Sequence, residues 1–260
     1  MSDVIQLKEV ANMLAGFAIK GSDFGIGESL AVKIKNVLPP KVDVQTLDSF
    51  KPDRYGNKIQ RYRLNKGDVL ISMTGNLGRV ATVPEHERPI YLNQRVAKLL
   101  AQSESDTTFL KYQLINPSFA EYCDAFADSA TAQPNISVKT MLGYSLVWPK
   151  KDIRDAMAEV LSSIDDKIDL LNRQNETLEA MAQTLFRQWF IEEADDSWEE
   201  LPITSVAHFL NGLACQKFPP LNDSDRLPVL KIRDLKDGLS DTSDYASRSV
   251  DPKYIIDRGD

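Results

Sequence analysis

Apolar residues in the first 150 positions fall in short runs, at residues 30–34, 69–73, 80–83, 96–100 and 144–148. Turn-forming pairs such as Gly67-Asp68, Gly75-Asn76 and Pro84-Glu85 separate the runs, a pattern typical of β-strands joined by turns. Residues 109–115 and 119–126 instead have helical spacing. The pattern predicts an α+β domain with a twisted sheet and a few helices.

Residues 151–193 follow another pattern, because they contain neither glycine nor proline and their apolar residues recur in heptads. The residues that recur every seven positions are Met157, Ile164, Leu171, Leu178 and Leu185. This spacing predicts one long helix, roughly 60 Å in length, whose apolar seam pairs with another helix. Asn175 also falls on the seam, either as a buried amide that fixes the register or at the edge of the seam.

The chain begins to repeat itself after this helix. Residues 10–18 resemble 206–214, residues 32–37 resemble 230–235, and residues 62–68 resemble 254–260. The common order indicates a duplicated unit of one globular domain and one long helix. The second copy stops at Gly259-Asp260, before its counterpart of the apolar run 69–73. We therefore expect a domain over residues 1–150, a helix over 151–193, and an incomplete second domain over 194–260, in a fragment or a naturally truncated product.

The net charge of −7 hides an asymmetry between the two parts of the chain. Residues 1–150 carry 18 lysines and arginines against 15 acids, whereas residues 151–260 carry 13 against 23. A nucleic-acid partner should therefore face the first part. No apolar stretch approaches the roughly 18–20 residues that span a bilayer, and the N-terminus does not resemble a signal peptide. We expect a cytoplasmic protein in which Cys123 and Cys215 are reduced thiols.

Residues 51–66, called the basic segment below, hold the densest group of cations in the chain. Its cations are Lys51, Arg54, Lys58, Arg61, Arg63 and Lys66. Tyr55 and Tyr62 are interleaved with them, and Asp53 is the only acid. Cations that face phosphates release counterions and make DNA binding dependent on salt. The alternative is a solvated surface loop.

Three further groups offer polar side chains to a DNA partner. The first is the glycine turn with donors Thr74, Asn76 and Arg79, which could also be a plain hairpin turn. The second is Asn93-Gln94-Arg95, since amides pair with adenine and arginine with guanine. Alternation along a strand would point Gln94 inward and Arg95 or Asn93 outward. The third is Gln133 and Asn135, which are similar candidates on a loop.

Several of these segments resemble one known family. Residues 66–80 are similar to the GD-(I/V)-L-x-x-x-x-G-x-x-G-(K/R)-V segment of target recognition domains in type I restriction-modification specificity subunits. Residues 91–96 resemble the LNQ-x-V strand of that family, and residues 132–137 its TQ-x-N-(I/L)-S run. Residues 170–176 look like its long helix, whereas residues 144–149 depart from its pattern with Trp148 and a single proline. The resemblance covers residues 1 to about 193 in order.

The resemblance implies a non-catalytic subunit in which each of two recognition domains reads half of a split DNA site. It implies that two helices set the gap, that methyltransferase subunits bind the assembly, and that restriction subunits join through them. S-adenosylmethionine, ATP and Mg²⁺ would then belong to partner subunits, with no cofactor on this chain. Two copies could also pair through the seam. The alternative is a coiled-coil adaptor whose head binds protein.

Enzyme functions are disfavoured by the motifs present. Asn116-Pro117-Ser118-Phe119 departs from the base-gripping loop of amino-methyltransferases, and no glycine-rich cofactor loop accompanies it. His86 and His208 have no partner at metal-ligand spacing. We therefore expect neither catalysis nor a metal site on this chain.

Overall fold

The computed structural model describes residues 3–128, 133–195, 197–240 and 242–257. The chain divides into two units, Met1–Ala182 and Gln183–Asp260. Ala132 and residues 258–260, which belong to the sequence motifs above, lie outside the described residues. Sheets and helices occur together with one long helix, which confirms the α+β class and the long helix expected from the sequence.

The first unit consists of short strands, three short helices and most of the long helix. Its strands are β1 (Asp3–Gln6), β2 (Ala11–Ala15), β3 (Phe24–Val32), β4 (Val37–Leu38), β5 (Lys41–Val42), β6 (Asp48–Phe50), β7 (Arg63–Leu64), β8 (Val69–Ser72), β9 (Val80–Thr82), β10 (Ile90–Leu92), β11 (Val96–Ala101) and β12 (Ser145–Trp148). Its helices are α1 (Glu104–Ile115), α2 (Pro117–Ala125), α3 (Val138–Met141) and α4 (Lys151–Arg187). Its 3-10 segments are Leu7–Glu9, Gly21–Asp23, Ile34–Asn36 and Pro52–Tyr62. The last consists of two helices that meet at a kink at Gly56, where φ is 57°.

The strands in the described residues of the first unit form two main sheets and one separate pair. The larger sheet has the order β2-β11-β8-β9-β5-β4, and the smaller has the order β6-β3-β10-β7. β1 pairs with β12, antiparallel. β3 and β10 are parallel neighbours, although most other pairs are antiparallel. The sheet order places the end of β8 beside the start of β11, where Val96 pairs with Ser72.

Alternation along the strands divides the core into layers. Val69 and Ile71 of β8 pack with Phe119 under the helices. Leu70, between them in the sequence, packs with Val32 and Ile90 on the opposite side of the sheet. Because successive side chains of a strand point to opposite faces, β8 can contribute to both layers. The continuous apolar run of residues 69–73 thus reflects a strand that is buried on both faces.

A third apolar cluster covers the outer face of the smaller sheet. Ala31 of β3 and Tyr91 of β10 pack there with Phe50 and Ile59. Ile59 is fully buried and belongs to Pro52–Tyr62, which lies within the basic segment. The basic segment is therefore attached to the sheet by an apolar side chain, while its cations are exposed.

The long helix begins at Lys151, as expected, and continues to Arg187, where one π-helical turn over Gln188–Glu192 follows. Arg154 and Ala158 in its first turns are buried against the rest of the first unit. From residue 170 onward, every described position of α4 is exposed.

The second unit contains the end of α4 and short elements. These are α5 (Ile203–Val206), α6 (Asp234–Asp237), β13 (Arg226–Pro228), β14 (Tyr245–Ser247), and 3-10 helices at Cys215–Lys217, Asp223–Asp225 and Pro252–Tyr254. β13 and β14 form an antiparallel pair in which Leu227 faces Ala246. Among its described residues, Ala246 is the only apolar side chain that is buried, whereas Ile232 is 89% exposed. Over the described part of the whole chain, no helix is long and apolar enough to cross a membrane.

Gly16 follows β2 directly and lies against the backbone of the turn between β10 and β11. A substitution at this position tests that contact. A Cβ at this position would lie 2.1 Å from the Asn93 carbonyl oxygen and 2.4 Å from its carbon, both of which are backbone atoms. Gly16→Ala should therefore lower the free energy of unfolding by about 1–3 kcal/mol, as overpacking does. Urea denaturation measures this effect. Gly21→Ala is the control, because no atom lies within 4 Å of its Cβ position; equal midpoints for both variants would contradict the prediction.

Candidate nucleic-acid interface

Asp23 holds one end of the basic segment in place. Its carboxylate accepts from Arg54 Nη1 at 2.6 Å and from the Tyr55 hydroxyl at 2.5 Å. The Tyr55 hydroxyl in turn accepts from the Lys20 backbone N–H at 2.9 Å. Asp23 is buried, although Arg54 is exposed. Sequence reasoning missed Asp23, because it lies 31 positions before Arg54.

The pKa of Asp23 is lowered from its ordinary value of 3.8. The hydrogen bond from Tyr55 is the main cause; burial opposes it, and Arg54 adds to it. Because the pKa is lower in the folded state, this stabilisation is present above the unfolded-state pKa and is lost as pH falls through the folded-state pKa.

Asp23→Asn should therefore lower the melting temperature at pH 7, and the difference from wild type should shrink as pH falls below about 4. Thermal unfolding at a series of pH values measures this effect. Asp53→Asn is the matched control, since Asp53 is an exposed acid of the same segment. An equal loss at pH 7 and at pH 3 would show that the carboxylate charge is not the cause.

Four cations of the basic segment remain available to a ligand. Arg54 is paired with Asp23, and Lys66 Nζ lies 2.8 Å from Glu85 Oε2. Within the described residues, no carboxylate lies within 4.0 Å of the other four, which we call the unpaired cations: Lys51, Lys58, Arg61 and Arg63. All four are exposed. The Arg61 guanidinium lies 5.3 Å from the centroid of the Tyr62 ring.

Phe17 connects the basic segment to the turn between β10 and β11. Its ring centroid lies 5.2 Å from that of Tyr55 and 5.3 Å from that of Tyr62. Its backbone N–H donates to the Leu92 carbonyl at 2.9 Å, and it forms a bridge with Asn93. We call the part of the first unit that precedes α4 the head. The unpaired cations and the polar residues after Asn93 thus belong to adjoining parts of the head.

Three segments that are distant in the sequence meet at Thr74. The Thr74 hydroxyl donates to Asn135 Oδ1 at 2.7 Å and accepts from Arg95 Nη1 at 3.2 Å. Backbone bonds reinforce this contact, because Met73 N–H donates to the Arg95 carbonyl at 3.0 Å and Gly75 N–H to the Pro134 carbonyl at 3.1 Å. We call Thr74, Arg95 and Asn135 the polar cluster. Arg95 is exposed, and its guanidinium has donors beyond the one bonded to Thr74.

The glycine turn is held by a residue that sequence reasoning did not identify. The Ser72 hydroxyl donates to the Asn76 carbonyl at 2.5 Å and accepts from the Arg79 backbone N–H at 3.0 Å. The Asn76 amide, with its oxygen turned toward Arg79, accepts from Nη2 at 2.6 Å. Gly75 and Gly78 have φ values of 74° and 68°, a region that favours glycine. The only sequence signal for Ser72 is a small polar residue at the end of a buried strand.

The prediction for Asn93, Gln94 and Arg95 was partly wrong. Gln94 and Arg95 form a turn between β10 and β11, not a strand, so alternation does not govern them. Gln94 is exposed, which contradicts its predicted inward position, and Asn93 is only 5% exposed. Arg95 is exposed, as predicted, while Asn93 is a poor candidate for contact with DNA. Gln133 is also exposed, at the edge of the described residues.

The predicted helix-pairing residues form an uncovered apolar row on α4. They are Met157, Ile164, Leu171, Leu178 and Leu185, with exposures between 41% and 62%. Val160, Ile168 and Met181 extend the row. An exposed apolar row of this length is a feature of interaction surfaces.

The described residues offer little for catalysis. Burial raises the pKa of the Cys123 thiol to about 12, which keeps it protonated and unreactive. His86 Nδ1 contacts the Pro84 carbonyl at 3.0 Å. Over the described ranges, no three histidine, cysteine or acidic side chains are placed to hold a metal ion.

Comparison with known proteins identifies the family of the chain. Residues 2–180 match the family described as "Type I restriction modification DNA specificity domain". The MjaVIII type I restriction enzyme specificity subunit of Methanocaldococcus jannaschii is 30% identical over 182 residues, which cover 68% of this chain and 42% of that protein. The MjaIX specificity subunit of the same organism is 22% identical over 198 residues, 69% of this chain and 45% of that protein. This chain thus spans less than half the length of either relative.

A solved structure shows the same fold. The crystal structure of the type I restriction-modification S subunit from M. genitalium covers 89% of this chain and 58% of its own, with a TM-score of 0.53 and 16% identity. The family match over residues 2–180 exceeds half of the chain. The chain therefore belongs to the family of type I restriction modification DNA specificity domains.

Proposed function

We propose that the first unit reads DNA sequence and that the chain acts as a non-catalytic specificity component of a type I restriction-modification complex. The observation that carries this proposal is the unpaired cations, which adjoin the polar cluster through Phe17. A folded head with four exposed cations that have no carboxylate within 4.0 Å among the described residues is suited to a polyanion.

The two groups of residues would have different roles. The unpaired cations would contact phosphates, which position the protein but carry no sequence information. Arg95, Asn76 and Arg79 would offer guanidinium and amide groups to base edges in the major groove. Gln133 and Asn135 would add amide groups from the neighbouring loop. Thr74 and Asn93 are omitted from this set because both are buried, so that the prediction of DNA contact is not kept for either.

The exposed row on α4 supports a helical partner, and the other partners are inferred from the family to which the chain belongs. The seam from Met157 to Leu185 would pair with a second helix, which a longer subunit or a second copy of this chain could supply. Such pairing would place two heads on one split target. Methyltransferase subunits would bind this assembly and restriction subunits would join through them, so S-adenosylmethionine, ATP and Mg²⁺ would act on those subunits.

A binding experiment tests the proposal. The chain is mixed with its methyltransferase partner, and gel-shift selection from random and genomic DNA is carried out at physiological salt. We expect one enriched split sequence, whereas equal binding to all sequences would overturn the proposal. A protein-binding adaptor would differ in salt dependence, because apolar contacts do not weaken steeply as salt rises.

A further inference from the structure

The head of the first unit contacts α4 through charged and polar groups. Arg154 Nη2 lies 2.9 Å from Asp106 Oδ1, and the Ser105 hydroxyl donates to Asp155 Oδ1 at 2.7 Å. Further along, Asp165 Oδ2 accepts from Lys111 Nζ at 2.6 Å and from the Tyr112 hydroxyl at 2.6 Å. One turn later, Asp169 is paired with Lys41.

These contacts lie on a different face of the helix from the seam, roughly 120° away around the helix axis. Residues 158, 165 and 169 follow one another at helical spacing and face the head, while Met157, Ile164 and Leu171 are exposed. Ala158 is the one fully apolar side chain of α4 that is buried, among the described residues. Apolar packing, which is not directional, therefore contributes little to the angle between head and helix. Charged hydrogen bonds, which are directional, contribute most of it.

Asp165 and Asp169 hold the helix from two different elements. Lys111 and Tyr112 belong to α1, whereas Lys41 belongs to β5, which lies next to the edge strand β4 of the larger sheet. Two anchor points on one helix fix a direction, which a single point cannot do. Burial raises the pKa of Asp165, but the hydrogen bonds from Lys111 and Tyr112 and the charges of Lys111 and Lys41 outweigh it, so that the pKa lies below its ordinary value. Asp165 thus stays charged at neutral pH.

We propose that Asp165 and Asp169 are positioning residues that set the angle between the recognition head and α4, and with it the spacing that the protein accepts between the two parts of its DNA target. The second half of this statement rests on the proposed function. One inserted base pair moves a half-site by about 3.4 Å along the duplex. A head held at a fixed angle to α4 therefore distinguishes two targets whose halves differ in spacing by one base pair, whereas a head with a variable angle binds both.

The angle can be measured without DNA. Spin labels at Ser22→Cys in the head and Glu176→Cys on α4, both exposed positions, report the distance between head and helix in a Cys215→Ser background. The buried Cys123 is not labelled. We expect a narrow distribution in wild type and a broad one in Asp165→Asn/Asp169→Asn. Asp166→Asn is the matched control, because Asp166 is the exposed neighbour of Asp165 on the same helix.

Exchanging the two charges of the Lys41–Asp169 ion pair shows whether a broad distance distribution results from loss of this pair or from general loss of structure. Lys41→Glu alone should broaden the distribution, and adding Asp169→Lys should narrow it again. An unchanged distribution in Asp165→Asn/Asp169→Asn, or no recovery in the exchanged pair, would overturn the positioning role.

Spacing on DNA is measured with the methyltransferase partner on the target and on copies with one base pair inserted between its halves. Wild type and Asp166→Asn should lose about tenfold or more in affinity on insertion, as for a mismatched position, and Asp165→Asn/Asp169→Asn should lose clearly less. Equal losses would contradict the link to spacing. A wild type without sequence preference would instead refute the proposed function, while the label distances would still decide the positioning role.

Discussion

Replacing the unpaired cations Lys51, Lys58, Arg61 and Arg63 together by alanine should flatten the salt dependence of DNA binding. Each phosphate contact contributes about 0.9 to the slope of log affinity against log salt, so four contacts contribute about 3.6. Between 50 and 200 mM salt, wild type should lose about 150-fold more affinity than the variant, by the same relation. Fluorescence anisotropy with one labelled duplex over this salt range measures both slopes.

A control with the same change in charge shows whether position matters. Lys8, Lys139, Lys150 and Lys167 are exposed cations outside the basic segment. Their joint replacement by alanine should change the slope by less than about one. If both sets of four flattened the slope equally, the basic segment would have no special role, and the interface would have to be sought elsewhere on the head.

Removing the buried ion pair between Arg154, at the start of α4, and Asp106 should strongly lower the free energy of unfolding. The side chains of Arg154 and Asp106 are 9% and 8% exposed, with 2.9 Å between Nη2 and Oδ1. Arg154 Nη1 also donates to the Pro149 carbonyl at 2.7 Å, and the guanidinium lies 3.9 Å from the Trp148 ring centroid. Arg154→Ala leaves Asp106 buried without its cation and should lower the free energy of unfolding by about 3–5 kcal/mol. Chemical denaturation provides the measurement.

Lys151→Ala is the matched control for Arg154→Ala. Lys151 pairs with Asp155 on the same helix, but both side chains are well exposed, at 63% and 42%. An exposed pair at this spacing contributes about 0.3–0.5 kcal/mol, so the control should remain close to wild type. Similar losses in the two variants would mean that burial does not strengthen the Arg154 pair, and that the head is not fixed on α4 in the manner described.

The elements with a strong local period could be predicted from the sequence. The run at residues 69–73 forms β8, because a strand that is buried on both faces is continuously apolar. The heptads form α4, because apolar residues that recur every seven positions lie on one face of a helix, although that face is exposed here. The turn at Gln94-Arg95 was not predicted, since a short polar pair between two strands has the same residue types as an exposed strand end. The division into residues 1–150, 151–193 and 194–260 stays a prediction.

The candidate site could be predicted in composition but not in detail. The basic segment can be recognised in the sequence as a dense group of charges. Only the fold shows that Arg54 forms an ion pair with Asp23 and that Lys66 forms one with Glu85. Such pairs join residues that are distant in the sequence and have no spacing rule. Ile59, which packs the segment against the smaller sheet, could not be predicted either. A single isoleucine among cations forms no periodic pattern that would indicate its burial. Contact with DNA by any of these residues stays a prediction.

If the head reads DNA as proposed, the bonds of Thr74 limit how its target preference can change over evolution. Its hydroxyl is donor to Asn135 and acceptor from Arg95 at once, so a substitution at any of the three positions removes a bond from at least one neighbour. Effects at groups that share partners are not additive. New preferences should therefore arise through substitutions that occur together on separate loops, and single changes should mostly weaken binding before a second one restores it.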